Sequence, residues 1–282
     1  MAPSTAAIVP RPMASTFDDD TALTPAGDGA WTATIAAGWD TPRGPLGGYV
    51  MAIVLRAMEL VVDDPDRQAR SATMHFLRAP EHGPVTVRAR VERAGRSLSS
   101  TSAGLEQDGK LVGLALGAYS VPWEGPLLDE SPVPAVQPPE GREPLATGPA
   151  GDGGPPAFAA RLTMQRRFGA LPFSGAERSE VGGWLGLVEE RQLDAPAIAL
   201  LADAWFPAPW PRLAALAPAP TIDLTVHFRA PLPLPDSLLL GRFRTRYVRD
   251  GFFEEDGELW APDGTLIAQS RQLGLLLGAE TG

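Results

Sequence analysis

The feature that most constrains this chain is that it repeats itself. Ser71–Pro80 reads SATMHFLRAP and Asp223–Pro231 reads DLTVHFRAP, so Thr-x-His-Phe followed by Arg-Ala-Pro occurs twice, 152 residues apart. A β-rich stretch follows each copy, VTVRARVERAGRSLSSTSAGLEQ in the first half and LLLGRFRTRYVRDGFFEEDGELW in the second. Each half then reaches an Asp-Gly pair and a last apolar run, at Asp108 and at Asp263, 155 residues apart. Asp-Gly between apolar runs favours a tight hairpin, because Gly tolerates the positive φ the turn demands. The matching order, spacing and turn chemistry imply an internal duplication of one α+β unit.

Between the copies, Pro122–Pro156 is dominated by Pro and Gly. Such composition buries too little apolar surface to fold alone and favours extended chain. The expected organisation is an N-terminal tail (1–16), a first unit (17–121), a connector (122–156) and a second unit (157–282).

Within the first unit, Val50, Ile53, Val54, Ala57, Met58, Val61 and Val62 repeat at helical spacing. The central turns of Gly48–Val62 are nearly all apolar, so this helix is expected to be buried. Strands are expected near Ser71–Leu77, Val85–Arg93, Ser97–Gln107 and Lys110–Ser120. The second unit repeats this with a strand near Gly182–Glu189 and a helix that starts at Asp194 as N-cap, with Pro196 in its first turn, and stops before Pro207. The predicted architecture is one buried helix wrapped by a curved antiparallel sheet, twice.

Charge and composition exclude several function classes. The formal charge of −10 is a poor match for sequence-independent binding to nucleic acid or anionic lipid. The absence of Cys removes disulfides, thiolate nucleophiles and Cys-ligated metals. The His residues number three, with His75 and His227 at the same repeat position, so they read as strand scaffold and not as a zinc site. No Gly-x-Ser-x-Gly elbow, Walker loop or His-Glu-x-x-His is present. No apolar run reaches the 18–20 residues of a membrane span. Met1–Thr16 lacks the apolar core of a signal peptide, so a cytoplasmic protein is expected.

The Gly-Gly before the first helix, Thr-x-His-Phe-Leu-Arg-Ala-Pro, Gly95-Arg96-Ser97-Leu98 and the closing Asp-Gly-x-Leu-x-Ala-x-x-x-Gln together resemble the acyl-CoA thioesterase II family. The resemblance spans nearly the whole chain apart from the tail and the connector. It implies an α+β fold of two tandem hotdog units (a double hotdog), hydrolysis of acyl-CoA or another acyl thioester, no cofactor beyond the CoA of the substrate, no metal, and a homo-oligomer. It also implies a catalytic set in the second unit: Asp203 as base, with Thr221 and Gln272 orienting the water. Two positions depart from the family pattern: Leu224 stands for a His after the Thr-Ile-Asp, and Leu273 for the Glu that follows the Gln.

Reading the residues themselves adds two expectations. At the repeat offset, Thr221 corresponds to Ala69 and Gln272 to Gly117, so the first unit lacks the polar set. What it offers is Gly48 and Tyr49, whose amides at a helix N-terminus suit a thioester carbonyl oxygen. Strand alternation places Thr221 with Asp223, Thr225 and His227, away from the apolar face of Ile222, Leu224, Val226 and Phe228. Thr221 reaches the core side only if a bulge near Pro220–Thr221 resets that alternation. Arg43, Arg78, Arg229, Arg244 and Arg246 are the candidate phosphate contacts. Trp184, Trp205, Phe206, Trp210, Phe252 and Phe253 are the candidate acyl-pocket aromatics. The rival readings are a non-hydrolytic acyl-thioester binding protein and a hotdog hydratase. The latter needs an Asp five residues before a His, where Arg70, Leu77 and Ile222 stand.

Overall fold

The computed structural model describes residues 15–146 and 155–278. Most of the predicted tail and the middle of the predicted connector therefore lie outside the described residues. The first unit contains α1 (Thr16–Asp20), β1 (Thr24–Gly27), β2 (Ala30–Ile35), a small β3–β4 pair (Asp40–Thr41 and Gly44–Pro45) and α2 (Gly47–Val62). Strands β5 (Gln68–Phe76), β6 (Gly83–Ala94), β7 (Leu98–Gln107) and β8 (Lys110–Ser120) complete it. The second unit contains β9 (Leu162–Phe168), β10 (Glu180–Leu187), α3 (Ala195–Ala202), β11 (Thr221–Phe228) and β12 (Leu239–Arg244). It ends with β13 (Val248–Arg249), β14 (Phe252–Trp260) and β15 (Leu266–Leu275). Among the described residues, no helix is long and apolar enough to cross a membrane.

The two units share one antiparallel sheet in the order β1-β2-β6-β7-β8-β5-β11-β15-β14-β12-β10-β9, with β13 on β14. The seam is β5 against β11, where Thr73 lies opposite Thr225. These are the repeat-equivalent threonines, and their hydroxyls meet at 2.9 Å. The duplication thus closes on itself about a local two-fold through that pair. On the concave side, α2 packs on β2, β5, β6, β7 and β8, α3 on β11, β14 and β15, and the two helices pack on each other. Helix α2 is apolar over its first two turns and beyond because it is enclosed there: Tyr49 to Leu55, Ala57 and Met58 are all buried. This is the double-hotdog architecture implied by the sequence.

Helix α3 starts as its caps dictate. The Asp194 side chain accepts from the Ala197 amide at 3.0 Å, and Pro196 occupies the first turn. The two Asp-Gly pairs behave differently. Asp108 and Gly109 both have positive φ and close a two-residue hairpin between Gln107 and Lys110. At the second pair, Trp260 pairs with Leu266, which leaves a five-residue loop. Pro262 cannot donate to a ladder there, and Asp263 accepts from the Thr265 amide at 2.9 Å. Helix α1 is capped from within the stretch read as tail, since Ser15 and Asp18 form a capping box there. The described part of the connector runs extended over the second unit. It is fastened by Arg142 to Asp236 at 2.8 Å and by the Trp184 indole to the Gln137 carbonyl at 2.8 Å.

Candidate active site

Thr221 depends on a local irregularity for its direction. Between Thr221 and Asp223 the β11–β15 register slips by one: Thr221 lies opposite Gly274, and Asp223 opposite Leu273. Residues directly opposite in an antiparallel pair share a face. Gly274 shares its face with Gln272, two residues away, and Gln272 lies opposite the fully buried Leu224. The extra residue therefore turns Thr221 to the core side, which strict alternation would deny it. There its hydroxyl donates to Gln272 Oε1 at 2.8 Å.

The chain of hydrogen bonds continues to a residue the sequence reading passed over. Gln272 Nε2 donates to Oε1 of Glu255, on the neighbouring strand β14, at 2.8 Å. Glu255 Oε2 accepts from the Ala208 amide at 2.5 Å. Glu255 is only 3% exposed, and burial pushes its carboxyl up to about 7, with the negative charge of Asp203 nearby adding to the rise. Glu254-Glu255-Asp256 reads as a solvated acidic run. The available signal was alternation: in β14, Phe253, Glu255, Gly257 and Leu259 are all buried and share the inward face.

Asp203 is the C-cap of α3, and its side chain reaches across to the first unit. Its Oδ2 accepts from the Gly48 amide at 2.7 Å. Burial pushes this carboxyl up to about 7, and the Gly48 N–H pulls the other way by favouring the anion. The carboxylate thus faces the positive end of α2 while sitting at the negative end of α3. That approach is why two glycines open α2. A Cβ on Gly48 would fall 2.8 Å from the Ala199 carbonyl and 2.9 Å from Asp203 Cβ. One on Gly47 would fall 3.0 Å from Asp203 Oδ2.

Thr221, Gln272 and Glu255 are therefore joined by hydrogen bonds, and Asp203 lies close enough for its charge to act on Glu255. The expected amide cradle is a different matter. The Gly48 N–H is taken by Asp203, and the Tyr49 N–H by the Leu46 carbonyl at 3.1 Å. The Tyr49 phenol is also committed. It accepts from the Ala36 amide at 3.1 Å, donates toward the Asp20 and Thr34 carbonyls, and its ring stacks on Trp39. Tyr49 is a core residue here, and Gly48 serves the carboxylate directly. Gly47, at the first helical position, has an amide with no intrahelical acceptor.

The aromatic candidates disperse. Trp184 packs with Leu238, Leu240 and Trp260 in a separate cluster, and Phe253 packs near Trp210 and Phe173 in another. Trp205 joins the main core with Phe206 against it, and Phe252 is 45% exposed. Among the basic candidates, Arg229 bonds Gln269 and Arg246 lies 3.8 Å from Asp256. A cavity of about 320 Å³ beside Phe17, Trp39 and Arg161, and an outer groove of about 740 Å³ beside His75, Arg88 and Leu116, are lined by none of the four polar site residues. Among the described residues, no His, Asp and Glu side chains cluster as a metal-holding group.

The sequence profile described as "Acyl-CoA thioesterase C-terminal domain" matches residues 135–276, and "Acyl-CoA thioesterase N-terminal domain" matches residues 35–120. A hotdog-fold protein of unknown function from Alicyclobacillus acidocaldarius is 27% identical, with a TM-score of 0.82 over 93% of this chain and 98% of that one. An acyl-CoA thioesterase II from Mycobacterium marinum is 17% identical, with a TM-score of 0.74 over 95% of this chain and 98% of that one. At that identity the second likeness carries the fold alone. A search of the curated proteins returns no match.

Proposed function

This chain belongs to the acyl-CoA thioesterase family, and from that premise we propose that it hydrolyses acyl thioesters, acyl-CoA foremost, using a water activated by Asp203. The observation that carries the reading is the half-buried Asp203, its carboxyl pushed up to about 7 and its charge acting on the Thr221–Gln272–Glu255 chain at Glu255. A base poised near neutral pH is half ionised where it must work, and it gains driving force for taking a proton.

In this reading the Asp203 carboxylate takes one proton of the water while Thr221 Oγ1 accepts a hydrogen bond from the other. Thr221 has that lone pair free because its own proton is directed at Gln272. The water oxygen attacks the thioester carbon, and the tetrahedral oxyanion is held at the positive N-terminal turn of α2 by the Gly47 amide, since the Gly48 amide is occupied by Asp203. Collapse breaks the C–S bond. The proton held by Asp203 passes to the departing thiolate, leaving free acid and CoA thiol. No group beyond these side chains and the substrate is required.

The test is thiol release from acyl-CoAs of graded chain length, with acyl carrier-protein thioesters alongside. Turnover that saturates with at least one class supports the reading. Tight binding with no thiol released supports the non-hydrolytic alternative instead.

A further inference from the structure

We propose that Glu255 is a positioning residue that fixes which way the Gln272 amide points and, through it, which way the Thr221 hydroxyl donates. The inference rests on the hydrolytic reading and deepens it.

Glu255 Oε2 is claimed by the Ala208 amide, which can only donate. Glu255 Oε1 then faces Gln272, and an ionised carboxylate can only accept, so it selects the NH2 edge of that amide. The carbonyl edge of Gln272 is left toward Thr221, whose hydroxyl donates to it. Thr221 therefore turns a lone pair, and not its proton, toward any water beside it. An Asn or Gln amide has no intrinsic preference between its two edges; the network decides. Once ionised, Glu255 has a fixed polarity at both ends, because each oxygen can only accept and one of them is pinned by a backbone N–H.

The charge of Glu255 matters as well as its shape. The carboxylates that act on it are Asp203, at the end of α3, and Asp256, the next residue of β14. Asp256 turns to the opposite face, where Arg271 lies 3.1 Å and Arg246 3.8 Å away. The charge of Asp203 therefore adds to burial in raising the Glu255 carboxyl.

Glu255→Gln tests this with almost no change in volume. The variant keeps an oxygen for the Ala208 amide and presents an NH2 to Gln272. The Gln272 amide must then flip, and its NH2 meets the Thr221 oxygen. All three hydrogen bonds survive, the one from the Ala208 amide as it was and the other two with their direction reversed, so the fold is expected to keep its Tm to within a few degrees. Two readouts are followed. In the first, kcat for thiol release falls about tenfold or more with KM nearly unchanged, and the acid limb of kcat/KM moves to lower pH. In the second, which needs no turnover, the side-chain 1H–15N resonance of Gln272 shifts in Glu255→Gln and loses its pH dependence, with the peak assigned by its loss in Gln272→Ala. A wild-type rate and pH profile in Glu255→Gln, or a Gln272 resonance indifferent to the substitution, overturns the proposal. If the wild-type chain releases no thiol, the hydrolytic reading fails, and the resonance alone decides whether Glu255 orients the amide.

Discussion

The two units place different residues at the same positions of the same scaffold. Thr221, Glu255 and Gln272 correspond to Ala69, Thr101 and Gly117. The correspondence follows from register: Gln272 lies opposite Leu224 and Glu255, as Gly117 lies opposite Ala72 and Thr101. The bulge that turns Thr221 inward is also present in the first unit, between Ala69 and Ser71. The irregularity therefore belongs to the duplicated scaffold, and only one copy uses it to aim a hydroxyl. At the other copy the space is closed. A Cβ on Gly117 would meet Thr101 Oγ1 at 2.8 Å, Met58 at 3.1 Å and Tyr119 at 3.1 Å. The first unit does hold a raised carboxyl of its own, on the half-buried Glu59, pushed up to about 7 by desolvation and by nearby Asp194. Arg56 is its cationic neighbour, and no Thr–Gln pair stands at the strand positions equivalent to the site. A perturbed carboxyl alone does not make a site; the difference lies in what surrounds it.

The largest expected effect is at Asp203. Asp203→Asn removes the base while keeping an acceptor for the Gly48 amide, and should lower kcat by about 10²–10⁴-fold. The same variant should be more stable than the wild type at pH 8. The sign follows from the raised pKa: the folded state holds the proton more tightly than the unfolded chain. Stability is thus lost as pH rises from the unfolded carboxyl value through about 7. Denaturation at pH 8 and pH 4 checks this, and the gain should vanish at the lower pH.

Gln272→Ala comes next. It leaves Thr221 and the buried Glu255 each short of a partner, at a cost of about 1–3 kcal/mol in stability together with a large fall in kcat. Gly117→Ala, at the matching position, should cost a similar 1–3 kcal/mol through overpacking and leave kcat per folded molecule unchanged. Comparing the two by urea titration and steady-state kinetics separates site from scaffold. Glu59→Gln sharpens the contrast further. It should raise stability at pH 8, by the same sign argument as Asp203, and leave turnover and its pH profile untouched. The smallest effect is at the seam, where Thr73→Val removes one partly buried hydroxyl pair for about 0.5–1.5 kcal/mol and no kinetic change.

Much of the scaffold was legible because its signals are local. Alternation, the capped start at Asp194 and the tight turn at Asp108-Gly109 each reside in a few consecutive residues. The repeat supplied the long-range order. The pairing of Thr221 with Gln272 followed from the family resemblance; alternation by itself pointed Thr221 the wrong way, because a bulge is a property of two strands and not of one. Glu255 was hidden for a related reason. Its acidic neighbours mask it in sequence, and its meaning arises only from Gln272 on the next strand. The Gly48–Asp203 contact joins the two units across 155 residues, which no local pattern encodes. Gly47-Gly48 was recognised as special ground, but the group that approaches it is a carboxylate from the other unit.

In the proposed function, one carboxylate in one copy activates the water. The most direct measurement sets thiol release by Asp203→Asn at pH 8 beside the wild type, with acyl-CoA affinity measured on the same preparations. The expected outcome is affinity within a few-fold and a rate reduced by about a hundredfold or more. A variant that binds acyl-CoA and releases thiol at close to the wild-type rate would contradict it.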